Sequence, residues 1–197
     1  MNIESPQAWV IAVVLLVALG VAAWLITREV RRRQSRRLQQ RFGSEYSRVV
    51  SERGDRTKAE AELIAREKRV ERLELVALSS QDAAKFREAW GELQTRFVDN
   101  PRGVVVEADR LVRDLMVKRG YPMADFERRA ADISVDHPAV VEAYRSARAI
   151  AVRDQRGEAS TEELRKAVVY YRTLFDELLE VRHPREIPAA NNQVVHS

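Results

Sequence analysis

Ala8 to Ile26, AWVIAVVLLVALGVAAWLI, is nineteen residues without a charge, and seven arginines follow it within residues 28–41. No other feature of the chain narrows its architecture so far. A helix rises roughly 1.5 Å per residue, so the run extends about 28 Å, close to the hydrocarbon thickness of a bilayer. Trp9 and Trp24 stand near its two ends, where indole rings favour the membrane–water interface. A buried core helix rarely runs this long with no polar face. A cleaved signal peptide opens with a basic segment, and MNIESPQ has neither Lys nor Arg. Ala18 and Gly20 imitate a small-residue cleavage position, yet apolar VAAWLI follows. The sequence therefore predicts a transmembrane helix over residues 8–26 behind a short tail, residues 1–7.

The arginines set the orientation. Arg28, Arg31, Arg32, Arg33, Arg36, Arg37 and Arg41 are costly to carry across a bilayer, so the expected topology is N-terminus out and the rest in the cytoplasm. The same side chains are expected to meet anionic lipid headgroups. Formal net charge is +4, but the arginine run alone exceeds that, so the remainder of the chain is close to neutral. A broad nucleic-acid surface is disfavoured, and the run lacks the interleaved aromatics that would stack on bases. Arg outnumbers Lys 29 to 5, a composition that fits a GC-rich bacterial genome and hence a bacterial inner membrane. There is no cysteine, which excludes thiolate catalysis, zinc ribbons and disulfides.

Beyond the arginines, Leu38, Phe42, Tyr46 and Val49/Val50 keep a four-residue step, predicting a basic juxtamembrane stalk over 27–55 interrupted near Gly43. RGD at 53–55 breaks it, with Asp55 as N-cap. Residues 56–77 read as a charged helix with a thin seam of Ala59, Leu63, Val70, Leu73 and Ala77, a heptad register that puts Arg66 inside it. Pairing with a second copy along that seam stays open. Ser79 and Asp82 then resemble a capping box, followed by Phe86, Trp90, Leu93 and Phe97 on one helical face. DNP at 99–101 starts a helix, with Asp99 or Asn100 capping and Pro101 in the first turn; its stripe is Val104, Ala108, Leu111, Val112 and Leu115, and RGYP stops it.

A short helix from about Met123 buries Phe126, Ala130 and Ile133. Another, from about Pro138 to Arg156, uses Val140, Val141, Tyr144, Ala147 and Ile150. Ser160 and Glu163 form a capping box for the last, whose stripe is Leu164, Val168, Tyr171, Leu174, Phe175 and Leu178. The expected fold is all-α: one transmembrane helix with its stalk, then a bundle of about five or six helices over 56–182. Residues 183–197 are expected to be a disordered tail.

Phosphate loops, HExxH, GxSxG and EF-hand patterns are absent from the sequence. One cluster remains, DISVDHP, where Asp132, Asp136 and His137 are candidate metal ligands or acid–base groups. The simpler reading makes Ser134 or Asp136 the N-cap of the helix beginning near Pro138, with His137 packing or hydrogen-bonding locally. On that reading no catalytic residue, cofactor or metal is expected.

RFGSEY, RFVDNP, EADRLV, RGYP, FERRAADISVDHPAVVEAYR and TEELRKA with YYRTLFDELL, spread over residues 41–180, together resemble a group of bacterial single-span membrane proteins with a helical cytoplasmic domain. The resemblance implies that architecture and no activity. The expected function is a membrane-anchored adaptor that binds another protein through its helical domain, and not an enzyme. A second reading is an anchored enzyme or metal binder using the DISVDHP turn. A third is an anionic lipid or nucleic-acid binder working through Arg28–Arg41.

Overall fold

The structure is a computed structural model that describes residues 6–179, without the side chains of residues 6–8 and 10–14. Among the described residues it is all-α: α1 (Pro6–Phe42), α2 (Ser44–Arg53), α3 (Arg56–Val70), α4 (Ser80–Thr95), α5 (Pro101–Lys118), α6 (Phe126–Asp136), α7 (Val141–Asp154) and α8 (Thr161–Leu179). The chain divides into two compact units, Met1–Glu60 and Ala61–Ser197. The expected tails, 1–7 and 183–197, lie almost wholly outside the described residues.

In the first unit α1 carries the apolar run and the arginines on one uninterrupted helix of 37 residues. Every described side chain from Leu15 to Gln34 is exposed. Much of the expected span, residues 8 and 10–14, lies outside the described side chains; among the described residues no helix is long and apolar enough to cross a membrane. Below the arginines the predicted break occurs at Gly43, where a φ of 52° separates α1 from α2. Leu38, Phe42, Tyr46 and Val49 are buried and Val50 half-buried along the step the sequence carries, and Ala59 of α3 is also buried. Gly54 closes α2 in the left-handed region, and Asp55 Oδ1 accepts the Lys58 N–H at 2.8 Å, capping α3 as expected.

The second unit has its own core. α8 packs along α5 and α7, while α4 and α7 also pack on α5 and α6 on α7. The α8 stripe is buried throughout, and Trp90 of α4 stacks on Phe175 of α8 with ring centroids 4.5 Å apart. Tyr144 of α7 meets Phe126 and Tyr171 at 4.9 and 6.2 Å, within the range of favourable aromatic pairs. Three caps fall where the sequence puts them. Ser79 Oγ accepts the Asp82 N–H, Asn100 Oδ1 accepts the Gly103 N–H, and Ser160 exchanges bonds with Glu163. The Asp82 carboxylate, however, accepts from the Ser79 hydroxyl, so only one half of that capping box forms.

Two helix boundaries differ from expectation. α3 ends at Val70, and residues 74–79 run without helical structure, so Leu73 and Ala77 do not extend the seam. The reason is tertiary. The Val76 N–H donates to the Arg119 carbonyl at 3.0 Å, and the backbone of Glu74 lies against Gly120, where a Cβ would sit 2.4 Å from its carbonyl oxygen. Gly120, at φ 93°, ends α5 in a Schellman arrangement: Tyr121 N–H reaches Met116 O and Gly120 N–H reaches Val117 O. The second difference is α7, which starts at Val141 and not near Pro138.

Candidate functional site

Two places carry the chemistry singled out from the sequence. On α1, the boundary between apolar run and arginines is stitched by local contacts. Thr27 Oγ1 donates to the Trp24 carbonyl at 2.9 Å, and the Arg28 guanidinium lies 5.1 Å from the Trp24 ring centroid, a cation–π distance. Arg33 Nε donates to Glu29 Oε1 at 3.0 Å. That bond holds the Glu29 carboxyl below its ordinary range, slight burial opposing it and the charges of Arg33, Arg36 and Arg32 adding to it. Trp9 and Trp24, the expected interface aromatics, are both exposed. Arg28, Arg31, Arg32, Arg33, Arg36 and Arg37 are exposed, while Arg41 is half-buried. Arg37 and Arg41 each have a polar or electrostatic interaction of their own.

The arginine run ends in a polar clasp that the sequence analysis missed. Glu60 Oε1 accepts from Ser35 Oγ at 2.7 Å, Tyr46 Oη at 2.7 Å and Arg56 Nε at 2.9 Å. One carboxylate oxygen thus ties α1, α2 and α3. Burial pushes the Glu60 carboxyl up, but the three donors outweigh it and leave it below the usual range. Ser35 and Tyr46 stand one helical step from Leu38 and on the Phe42 register, so a polar residue on an apolar stripe was the available signal.

The second place is DISVDHP, and here the capping expectation is wrong. Asp136 is the last residue of α6, and α7 starts at Val141 without any side-chain cap. His137 itself closes α6, its N–H donating to the Ile133 carbonyl at 2.8 Å. The sequence placed a helix start where the chain makes a helix end followed by a turn, because Asp and Pro suit both positions. α6 is capped at its own start by Asp125, which accepts the Arg128 N–H at 2.8 Å.

The side chains of the turn separate. Asp132 is 1% exposed, and its Oδ1 takes both Nε and Nη2 of Arg69 at 2.7 and 2.6 Å, while Oδ2 has no hydrogen-bond partner. Ser134 Oγ donates to the Ala131 carbonyl at 2.7 Å and lies 3.5 Å from the Arg66 guanidinium. His137 Nδ1 lies 2.9 Å from Glu177 Oε1 on α8. Asp132 and His137 are therefore committed to different partners, and no group of three potential metal ligands gathers among the described residues. Arg66 does occupy the α3 seam, buried and ion-paired with Glu62. Arg69 and Glu177 were not foreseen, since each is one charge among many on a helix surface.

A further polar layer lies in the core. Arg129 Nε donates to Tyr144 Oη at 3.3 Å, and the buried Tyr171 hydroxyl and Asp109 Oδ1 lack ordinary hydrogen bonds. Burial pushes the phenols of Tyr121, Tyr144 and Tyr171 up, with Asp136 adding at Tyr121 and Asp109 at Tyr171. Raised from an ordinary value already well above neutrality, all three phenols keep their protons at physiological pH.

No protein-family model matches the chain, and neither the curated proteins nor the solved structures contain a significant match to it.

Proposed function

We propose that this chain is a single-pass membrane-anchored adaptor, with residues 8–26 spanning a bacterial inner membrane and the α3–α8 module facing the cytoplasm to bind another protein. The observation that carries the reading is the continuity of α1. An uncharged nineteen-residue run passes into seven arginines without a helix break, and its described side chains are all exposed. An apolar helix with no protein face against it needs another apolar medium. The arginines on one side only then fix the topology. The adaptor half of the reading is supported by the commitment of Asp132, Ser134 and His137 to Arg69, Arg66 and Glu177, which gives these three structural duties. The resemblance to bacterial single-span helical proteins points the same way.

Reporter fusions at the C-terminus of the full chain test the topology: cytoplasmic-type fluorescence is expected, and periplasmic-type phosphatase activity overturns it. A mature N-terminus near Val21 overturns the anchor. Crosslinking in native membranes tests the adaptor role, with a discrete heterologous adduct on the α3–α8 module expected.

A further inference from the structure

We infer that Arg32 and Arg36 form a seat for the phosphate of an anionic phospholipid headgroup. The inference rests on the anchor reading and divides seven arginines that look equivalent in the sequence. Arg28 is folded over Trp24 and Arg33 is bound to Glu29. Arg37 and Arg41 each have a polar or electrostatic interaction of their own. Arg31, Arg32 and Arg36 are exposed, with no ion pair or hydrogen bond among the described residues.

Arg32 and Arg36 are four residues apart and so share one helix face, one turn above the other. Arg32 stands one turn and Arg36 two turns past Glu29, but the carboxylate that would neutralise them is taken by Arg33. Arg32 lies about 9 Å and Arg36 about 15 Å past Ile26, outside a headgroup layer roughly 5–8 Å deep, so the pair meets the headgroups only by reaching back along the helix. Helical side chains slant toward the helix N-terminus, here the bilayer side, so both guanidinium groups lean back to the headgroups. Leu38, on the far side of this part of α1 from the pair, is buried, and Ser35 beside the pair is buried and bound to Glu60. A guanidinium pair one turn apart offers several N–H donors to a single phosphate, a strong charge-assisted arrangement.

The test is native mass spectrometry of the full chain released from micelles titrated with phosphatidylglycerol or phosphatidylcholine. Wild type is expected to retain phosphatidylglycerol selectively. Arg32→Gln with Arg36→Gln is expected to weaken retention about five-fold per arginine lost. Arg28→Gln with Arg37→Gln removes the same charge from positions that bracket the seat, and is expected to weaken it much less. Glu29→Gln with Arg33→Gln leaves net charge unchanged and should leave retention unchanged. Equal losses in the two charge-matched doubles overturn the seat in favour of a diffuse field. Displacement of the lipid by millimolar inorganic phosphate, or by an RNA duplex, overturns the lipid as ligand. Carbonate extraction of vesicles carrying the protein separates the two levels. A chain released to the aqueous phase overturns the anchor and the seat together, whereas an embedded chain indifferent to headgroup charge overturns the seat alone.

Discussion

Arg69 and Asp132 stand 63 residues apart in the chain and meet through two nitrogens on one carboxylate oxygen, at 2.7 and 2.6 Å. The pair joins the last turn of α3 to α6. Its burial is unequal: the Asp132 side chain is 1% exposed and that of Arg69 is 25% exposed.

That inequality predicts unequal mutants. Arg69→Ala strands a buried carboxylate and should cost about 3–5 kcal/mol, the range for breaking a buried ion pair from one side. Asp132→Asn strands a guanidinium that can turn to water, and should cost clearly less. Thermal melts of the full chain in micelles measure both. Zn²⁺ or Mn²⁺ should leave the wild-type melting temperature unchanged; stabilisation by metal that is lost in Asp132→Asn would restore the metal reading of DISVDHP.

Trp90 stacks on Phe175 and is 3% exposed. Trp90→Ala should cost about 3–5 kcal/mol through the cavity and the lost stacking, whereas Trp90→Phe should recover much of it. Urea unfolding monitored by circular dichroism reads the difference. An unchanged midpoint in Trp90→Ala would show that the α4 stripe does not anchor the core.

Gly54 and Gly120 both have positive φ, 64° and 93°, but only Gly120 has backbone in the way of a Cβ. Gly54→Ala should cost about 1–2 kcal/mol, the strain of the left-handed region alone. Gly120→Ala should cost more, because the added carbon meets the Glu74 carbonyl. Equal shifts in melting temperature would mean that the 74–79 segment moves away freely.

Glu163 supplies the pH dependence. Its bonds to Arg153 and then to the Ser160 backbone and hydroxyl depress its carboxyl from 4.5 to about 2. A depressed carboxyl stabilises the fold fully above its unfolded value and loses that contribution as pH falls through the folded one. Wild type should therefore exceed Glu163→Gln in stability at pH 6–7, and the gap should close between about pH 4.5 and 2. Melts of both proteins across that window provide the check, and a gap independent of pH would exclude the carboxylate as its source.

Much of the helical plan is legible without coordinates, because it rests on short-range chemistry. The α8 stripe repeats at helical spacing, Ser160 and Glu163 lie three residues apart, and Asn100 precedes Pro101. Each of these is decided within one or two turns. The apolar run and the arginines after it are likewise one-dimensional facts, to which the structure adds one unbroken helix with its described apolar side chains exposed. The tertiary structure decides where local signals are ambiguous or silent. DISVDHP suits a helix start and a helix end equally well, and it ends α6. The charged stretch 71–77 has helical character, yet Val76 binds the Arg119 carbonyl and the segment leaves the helix. The clasp at Glu60 joins Ser35, Tyr46 and Arg56 across as many as 25 residues, and Arg69 finds Asp132 across 63. Such partners are chosen by which helix faces pack together. A charged residue on a helix surface carries no local mark of the partner that folding will bring to it.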